Sequence, residues 1–297
     1  NHPDSMPALI LSTSVDIEHD LGRLPDCKGF KVQPLPRTNG GPHSYVLQLL
    51  DPERRDIFAT LCEDCATAAS AATSEIESVA AWRRRLDAWQ TFFKKNSDRG
   101  LDKSRIVGLF GELSLLRQHA LPRIGAAGAV ASWCGPDGAM DDYLFRGGAL
   151  EVKSCTAATP SVVDITNTDQ LDESRVPALF LAHCLLDDNG ANATSLPDLV
   201  EALRRDLKDA DGEAYSRFDD LLIEAGYLDE HASKYLEHRY TVRAFRFFHV
   251  RDGFPRLTSR GLPAGVTKCS YRIQLAACEP HELTDDMMFN ILLGADS

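Results

Sequence analysis

The stretch that most narrows the folds open to this chain runs from Gly135 to Lys153. Within it two short β-prone runs, Asp142-Tyr143-Leu144-Phe145-Arg146 and Ala149-Leu150-Glu151-Val152-Lys153, meet at Gly147-Gly148. A Gly-Gly pair readily forms the two-residue turn of a β-hairpin. That turn predicts Arg146 opposite Ala149, Leu144 opposite Glu151 and Asp142 opposite Lys153. Side chains alternate with period two, so Asp142, Glu151 and Lys153 are expected on one face. Opposed residues then lie about 5 Å apart and diagonal ones about 7–8 Å, close enough to share one hydrated ion. Leu150 and Val152 point the other way, towards a covering helix.

Two carboxylates and an ammonium at one sheet edge suit a divalent cation and an attacking water beside a phosphodiester. Magnesium needs only one or two carboxylates, keeping waters and substrate phosphate for the rest. Asp142 and Glu151 supply those carboxylates, with the Val152 carbonyl as a further oxygen. Bound metal lowers the pKa of its water, and Lys153 can orient that water and offset charge building on phosphorus. Glu112, in the helix expected from Ile106 to about His119, offers a third carboxylate for a second ion or a ligating water. A Glu-x-Lys triplet alone is common on exposed strands. The same-face Asp142 and the upstream Gly108-Leu109-Phe110-Gly111-Glu112 run are what make the pattern specific. Asp141 reads as a surface residue, and Asp137 lies in a glycine-rich loop before the strand. Gln170 follows the next strand and either touches substrate or caps a helix.

At 297 residues the chain holds one large domain or two modest ones. An N-terminal α+β region, 1–95, contains strand candidates at Phe30–Leu35 and Ser44–Leu50 with a turn at Asn39-Gly40-Gly41-Pro42. Asp51 and Pro52 suit the N-cap and first position of a helix. A longer helix from Ser74 to Lys95 places Ile76, Val79, Trp82, Leu86, Trp89 and Phe93 on one face. An α/β core, 96–190, opens with a helix started by Asp102, in which Gly108 and Gly111 permit close approach to a neighbour. Gly125–Ala131 reads as a small-residue turn, followed by the hairpin and strands at Ser161–Ile165 and Pro177–Leu186. A C-terminal α+β extension, 191–297, begins with acidic helix, Leu196 to about Ala225, and continues with strands at Tyr240–Val250 and Cys269–Leu275.

The formal net charge is −12, which at first sight opposes nucleic acid. Its distribution is uneven: residues 187–230 carry thirteen Asp/Glu against four Lys/Arg, and residues 232–272 carry nine Lys/Arg against two acids. Arg243, Arg246, Arg256 and Arg272 are therefore candidate phosphate contacts, against the plainer reading of a sheet with solvated arginines. Eight cysteines at irregular spacing do not make a disulfide scaffold, and Cys62 and Cys65 form a lone CxxC. Reduced thiols and a cytoplasmic location follow. No apolar run approaches the roughly 20 residues of a membrane span. Phosphate-loop, dinucleotide and nucleophile-elbow signatures are absent from the sequence.

The run Gly108 to Leu113, Trp133 with Gly135-Pro136, Asp142-Tyr143, Leu150-Glu151-Val152-Lys153 and Gln170-Leu171 together resemble the PD-(D/E)XK, restriction-endonuclease-like nuclease superfamily. More narrowly they resemble a family within it often encoded beside restriction and phage-defence genes. Asp56-Ile57-Phe58 and Gly253-Phe254-Pro255-Arg256-Leu257 extend the similarity over most of the chain. The resemblance implies an α/β core with a four-stranded mixed sheet flanked by helices, between α+β extensions. It also implies Mg²⁺-dependent cleavage of DNA, with Mn²⁺ able to substitute. Asp142 matches the first aspartate, Glu151 and Lys153 the Glu-x-Lys, and Glu112 the helix acid. Other defence proteins and a second copy of the chain are candidate partners. A catalytically silent subunit that binds DNA or assembles a larger complex is the alternative, and an RNA substrate is a third option.

Overall fold

The computed structural model describes residues 6–20, 24, 29–37, 40–95, 100–136, 139–157, 161–188, 190, 192–266 and 269–294. The chain divides into two compact units: residues 1–100 with 219–227, and residues 101–218 with 228–297.

In the first unit β1 (Ala8–Thr13), a short α1 (Ile17–Asp20), β2 (Phe30–Pro34) and β3 (His43–Leu49) build an antiparallel sheet in the order β1-β3-β2. Asp51 then accepts the Glu53 N–H at 3.1 Å and caps a single 3₁₀ turn, with Pro52 in its first position. Helices α2 (Arg55–Ser70) and α3 (Glu75–Lys95) follow. The aromatic stripe of α3 is core: Trp82, Leu86 and Trp89 are buried, whereas Ile76 in the first turn is exposed. Asn39 of the expected turn lies outside the described residues.

The second unit opens with α4 (Lys103–Leu115), whose N-cap Asp102 accepts the Arg105 N–H at 2.9 Å. A π-helical turn, Leu116–Ala120, leads into α5 (Leu121–Ser132). The segment Gly125–Ala131, expected as a turn, is therefore mostly helical. Only Gly125, with φ of 70°, breaks the helix, and the small residues after it pack instead of turning. The hairpin strands are β4 (Tyr143–Phe145) and β5 (Gly148–Cys155). Next come β6 (Val162–Ile165), β7 (Leu179–Asp187), β8 (Thr194–Ser195), α6 (Leu196–Ala210) and α7 (Gly212–Ala225). The chain ends in β9 (Arg239–Val250), β10 (Tyr271–Gln274), α8 (Leu275–Cys278), β11 (Glu282–Leu283) and α9 (Asp285–Leu293).

Strands β11-β9-β7-β5-β4 form the main sheet, with β8 paired to β9. Because β5 and β7 run parallel while the other pairs are antiparallel, this is the central mixed sheet of an α/β core. It has six strands where four were expected, and the additions, β8, β9 and β11, come from beyond residue 190. The boundary drawn at 190/191 cuts between β7 and β9, which are neighbours in this sheet. Strand β6 stays out of the sheet. It pairs with β10 as a separate two-stranded layer, and Val163, Ile165, Ile273 and Leu275 pack with Ala149, Leu179, Leu181 and Phe248 in one apolar cluster.

On the other face Leu150 and Val152 are buried, as expected. Helix α4 lies close against β5: a Cβ on Gly111 would sit 1.8 Å from Ser154 Oγ. Gly108, expected to do the same, has nothing within 4 Å of such an atom. No described helix is long and apolar enough to cross a membrane. The seven described cysteines are free thiols.

Candidate active site

The hairpin turn is Arg146-Gly147, one residue earlier than expected. Phe145 pairs with Gly148, Leu144 with Ala149 and Tyr143 with Leu150. Moving a two-residue turn by one position shifts the pairing by two, so the alternation of faces survives. Continuing that register brings Asp142 opposite Glu151 instead of Lys153. The two glycines serve close approach. A Cβ on Gly147 would lie 2.1 Å from the Ile291 carbonyl, and one on Gly148 2.2 Å from that of Ala178.

Asp142 Oδ2 accepts the Val152 N–H at 2.7 Å, so its carboxylate bridges to the strand that carries Glu151. Glu151 is buried, and its Oε1 accepts from Lys153 Nζ at 2.7 Å and from Gln170 Nε2 at 2.7 Å. The amide of Gln170 is oriented in turn, because its Oε1 accepts the Thr166 N–H at 2.9 Å and the Thr166 hydroxyl at 3.0 Å. Glu112 joins from α4. Its Oε2 accepts the Trp133 indole N–H at 2.9 Å, and its carbonyl accepts the Tyr143 hydroxyl at 2.8 Å. Sequence reasoning placed Trp133 in the family pattern but missed its contact with Glu112, which closes across 21 residues.

Burial dominates the electrostatics of these acids. It pushes Asp142 up to about 6, against the Val152 hydrogen bond and the Lys153 charge. Burial, reinforced by the Asp142 charge, pushes Glu151 up to about 8 despite Lys153. Glu112 is held well above the ordinary carboxylate range, first by burial and then by the Asp142 charge, with the Trp133 bond opposing both. Three desolvated carboxylates, two of them pushed up further by the Asp142 charge, form an oxygen donor set suited to a hard cation. The described residues hold no cluster of three or more His, Cys, Asp or Glu side chains arranged to cage an ion. Magnesium does not require one, since a pair of carboxylates plus water and phosphate suffices. The donor set therefore suits a divalent cation.

Asp141 corrects the sequence reading. It is 5% exposed, not a surface residue, and it faces the Arg175 guanidinium at 3.3 Å. Asp137 lies outside the described residues. Among the four arginines considered for phosphate contact, at least three already hold carboxylates. Arg246 pairs with Glu282 at 2.6 Å, Arg272 with Asp164 at 2.5 Å, and Arg256, largely buried, with Glu173. Arg243 is exposed. His183 is buried, with Nε2 3.5 Å from Cys155 Sγ, as a core histidine should be.

Residues 1–276 match the family described as "Putative PD-(D/E)XK family member, (DUF4420)". The chain belongs to that family. The match takes in every residue of the site described above. No curated protein and no solved structure shows a significant match to the chain.

Proposed function

We propose that this protein is a Mg²⁺-dependent endonuclease that hydrolyses DNA phosphodiesters, acting in the cytoplasm in restriction or anti-phage defence. The observation that carries the reading is the convergence of Asp142, just before β4, on Glu151 and Lys153 of β5, with Glu112 and Gln170 reaching in from flanking elements. Membership of the family supports a nuclease. Metal, DNA and defence role are our extension of it.

Asp142 and Glu151 would hold the ion, with Glu112 behind a ligating water. A divalent ion held there would supply polarisation of the phosphate and a more acidic bound water. Gln170 keeps the Glu151 carboxylate in one orientation. Lys153, fixed beside Glu151, places an ammonium where it can orient the attacking water and offset negative charge on the phosphate as the bond breaks. Cleavage of plasmid or linear DNA by the purified protein in Mg²⁺ tests the proposal. Asp142→Ala and Glu151→Ala are expected to abolish cleavage with unchanged circular dichroism. Cutting that persists in both variants would defeat it.

The alternative, a silent subunit that binds DNA or joins a defence complex, draws on the lack of a preformed ion cage among the described residues. The pairing of Arg246, Arg256 and Arg272 with acids favours the assembly role over DNA binding. Salt-sensitive DNA binding without cleavage in any divalent metal would favour it. The same assay with RNA separates the two sugars.

A further inference from the structure

The side chains of the site are linked in a closed circuit whose last link is a residue outside the Asp, Glu-x-Lys pattern. Asp142 accepts from the Val152 N–H at 2.7 Å. Val152 follows Glu151, which accepts from Gln170 Nε2 at 2.7 Å. Gln170 follows Asp169, whose carbonyl accepts from Arg175 Nη2 at 2.7 Å. Arg175 returns to the carboxylate of Asp141 at 3.3 and 3.4 Å, and Asp141 precedes Asp142. One guanidinium thus ties the segment that presents Asp142 to the turn that presents Gln170.

We infer that Arg175 is a positioning residue that fixes the separation of the two halves of this site, an inference that rests on the reading of Asp142 and Glu151 as cation ligands. A simple surface ion pair is the plainer account, and such pairs contribute about 0–1 kcal/mol. Two features oppose it. The Asp141 side chain is 7% exposed, so removing Arg175 would strand a desolvated carboxylate beside the site. The second arm of Arg175 bonds to backbone in the turn itself, which a pair formed only for charge would not need. The turn is braced on its far side too. Ser259 Oγ donates to Asp169 Oδ1 at 3.1 Å and meets Thr168 Oγ1 at 2.8 Å, while Arg256 holds Glu173. Those braces, with Gln170 on Glu151 and Leu171 in the cluster around Ala149, keep the turn folded without Arg175, whose loss removes the link to the segment that carries Asp141 and Asp142. Groups supporting metal ligands from behind commonly change affinity or activity by about 10–100-fold when removed.

The test uses the full chain and Mn²⁺ as probe, with binding followed by electron paramagnetic resonance. Wild type, Arg175→Ala, Arg175→Lys and Asp141→Asn are compared, with Glu151→Gln as the variant lacking a ligand. Arg175→Ala is expected to lower the thermal midpoint, because Asp141 is left unpaired, and to weaken Mn²⁺ binding about tenfold or more at temperatures where the variant is still fully folded, with Arg175→Lys recovering part of both losses. Hydrogen exchange should quicken together in peptides covering 139–145 and 166–176. Wild-type Mn²⁺ affinity in Arg175→Ala, or unchanged exchange in both peptides, overturns the inference. Should wild type itself take up no Mn²⁺, the proposed function falls and exchange alone decides. Joint opening keeps the coupling, and opening of 166–176 alone removes it.

Discussion

Gln170 donates its side-chain N–H to Glu151 at 2.7 Å, and Thr166 holds the amide so that no flip can replace that donor with an oxygen. Glu151 would otherwise be a buried acid leaning on Lys153 alone. Gln170→Ala should therefore lower the cleavage rate about 10–100-fold, as loss of a group supporting a metal ligand does. Gln170→Glu should be worse, because it sets a second carboxylate against Glu151. Initial rates at saturating Mg²⁺ check both, and an alanine variant as fast as wild type would remove Gln170 from the site.

The raised carboxylates give the metal-free protein a particular dependence on pH. Unfolded Asp and Glu lose their protons near pH 4, whereas folded Asp142 and Glu151 keep theirs to about 6 and about 8. Between those values the folded state binds more protons than the unfolded chain, so stability falls as pH rises. Burial and the Arg246 charge hold His183 down at about 4, which acts in the opposite sense below its ordinary 6.5. The clean window is thus pH 6.5–8, where the raised Glu151 and Glu112 act in the same sense. Thermal midpoints in EDTA should decline there for wild type and less steeply for Glu151→Gln. Added Mg²⁺ should raise the wild-type midpoint most at pH 8. A flat wild-type profile would count against the buried acid.

Local chemistry was legible from the residues; long-range chemistry was not. The Asp51 and Asp102 caps, the α3 stripe and the alternation that puts Asp142 and Glu151 on one face all depend on neighbours in sequence. The turn slipped by one residue because Gly147 and Gly148 answer to the carbonyls of Ile291 and Ala178, more than a hundred and about thirty residues downstream. Neither glycine is among those with positive φ, so turn conformation was the wrong reason to expect them. Shifting by two in pairing spared the site. Asp141 looked superficial because its partner Arg175 lies 34 residues away. The basic stretch looked available to phosphate because Glu173, Glu282 and Asp164, its actual partners, lie outside it. Strand β6 carries a strand pattern but nothing that names β10 as its mate.

Trp133 and Tyr143 hold the same residue by different atoms, and that separates their roles. The Trp133 indole bonds the Glu112 carboxylate, while the Tyr143 hydroxyl bonds the Glu112 carbonyl. Trp133→Phe removes the donor and, at a buried position, part of the ring system, so it should cost at least about 1–3 kcal/mol for the group left unsatisfied, with a cavity cost added, and lower the cleavage rate with it. Tyr143→Phe should cost less stability, because the Glu112 carbonyl keeps the Leu116 N–H, and less rate, since the carboxylate keeps its partner. Denaturant unfolding and initial rates measured on both variants check the split. Equal rate losses would mean that Glu112 contributes only through the placement of α4.

Two glycines three residues apart on α4 give opposite expectations for the same substitution. A Cβ at Gly111 would collide with Ser154 Oγ at 1.8 Å and approach Cys184 Cβ at 3.5 Å, both on strands of the main sheet. Ser154 can turn its hydroxyl away, but its own Cβ would still lie at 3.0 Å, so the helix must lift. Gly111→Ala should destabilise by about 1–3 kcal/mol, the usual cost of overpacking. It should also reduce cleavage, because Glu112 is the next residue and moves with the helix. Gly108→Ala meets nothing within 4 Å and should stabilise the protein by up to about 1 kcal/mol through helix propensity, with activity unchanged. Urea unfolding of the two variants decides the matter. A stable, active Gly111→Ala protein would show that α4 is not pressed against β5, and the placement of Glu112 beside Asp142 would then lose its support.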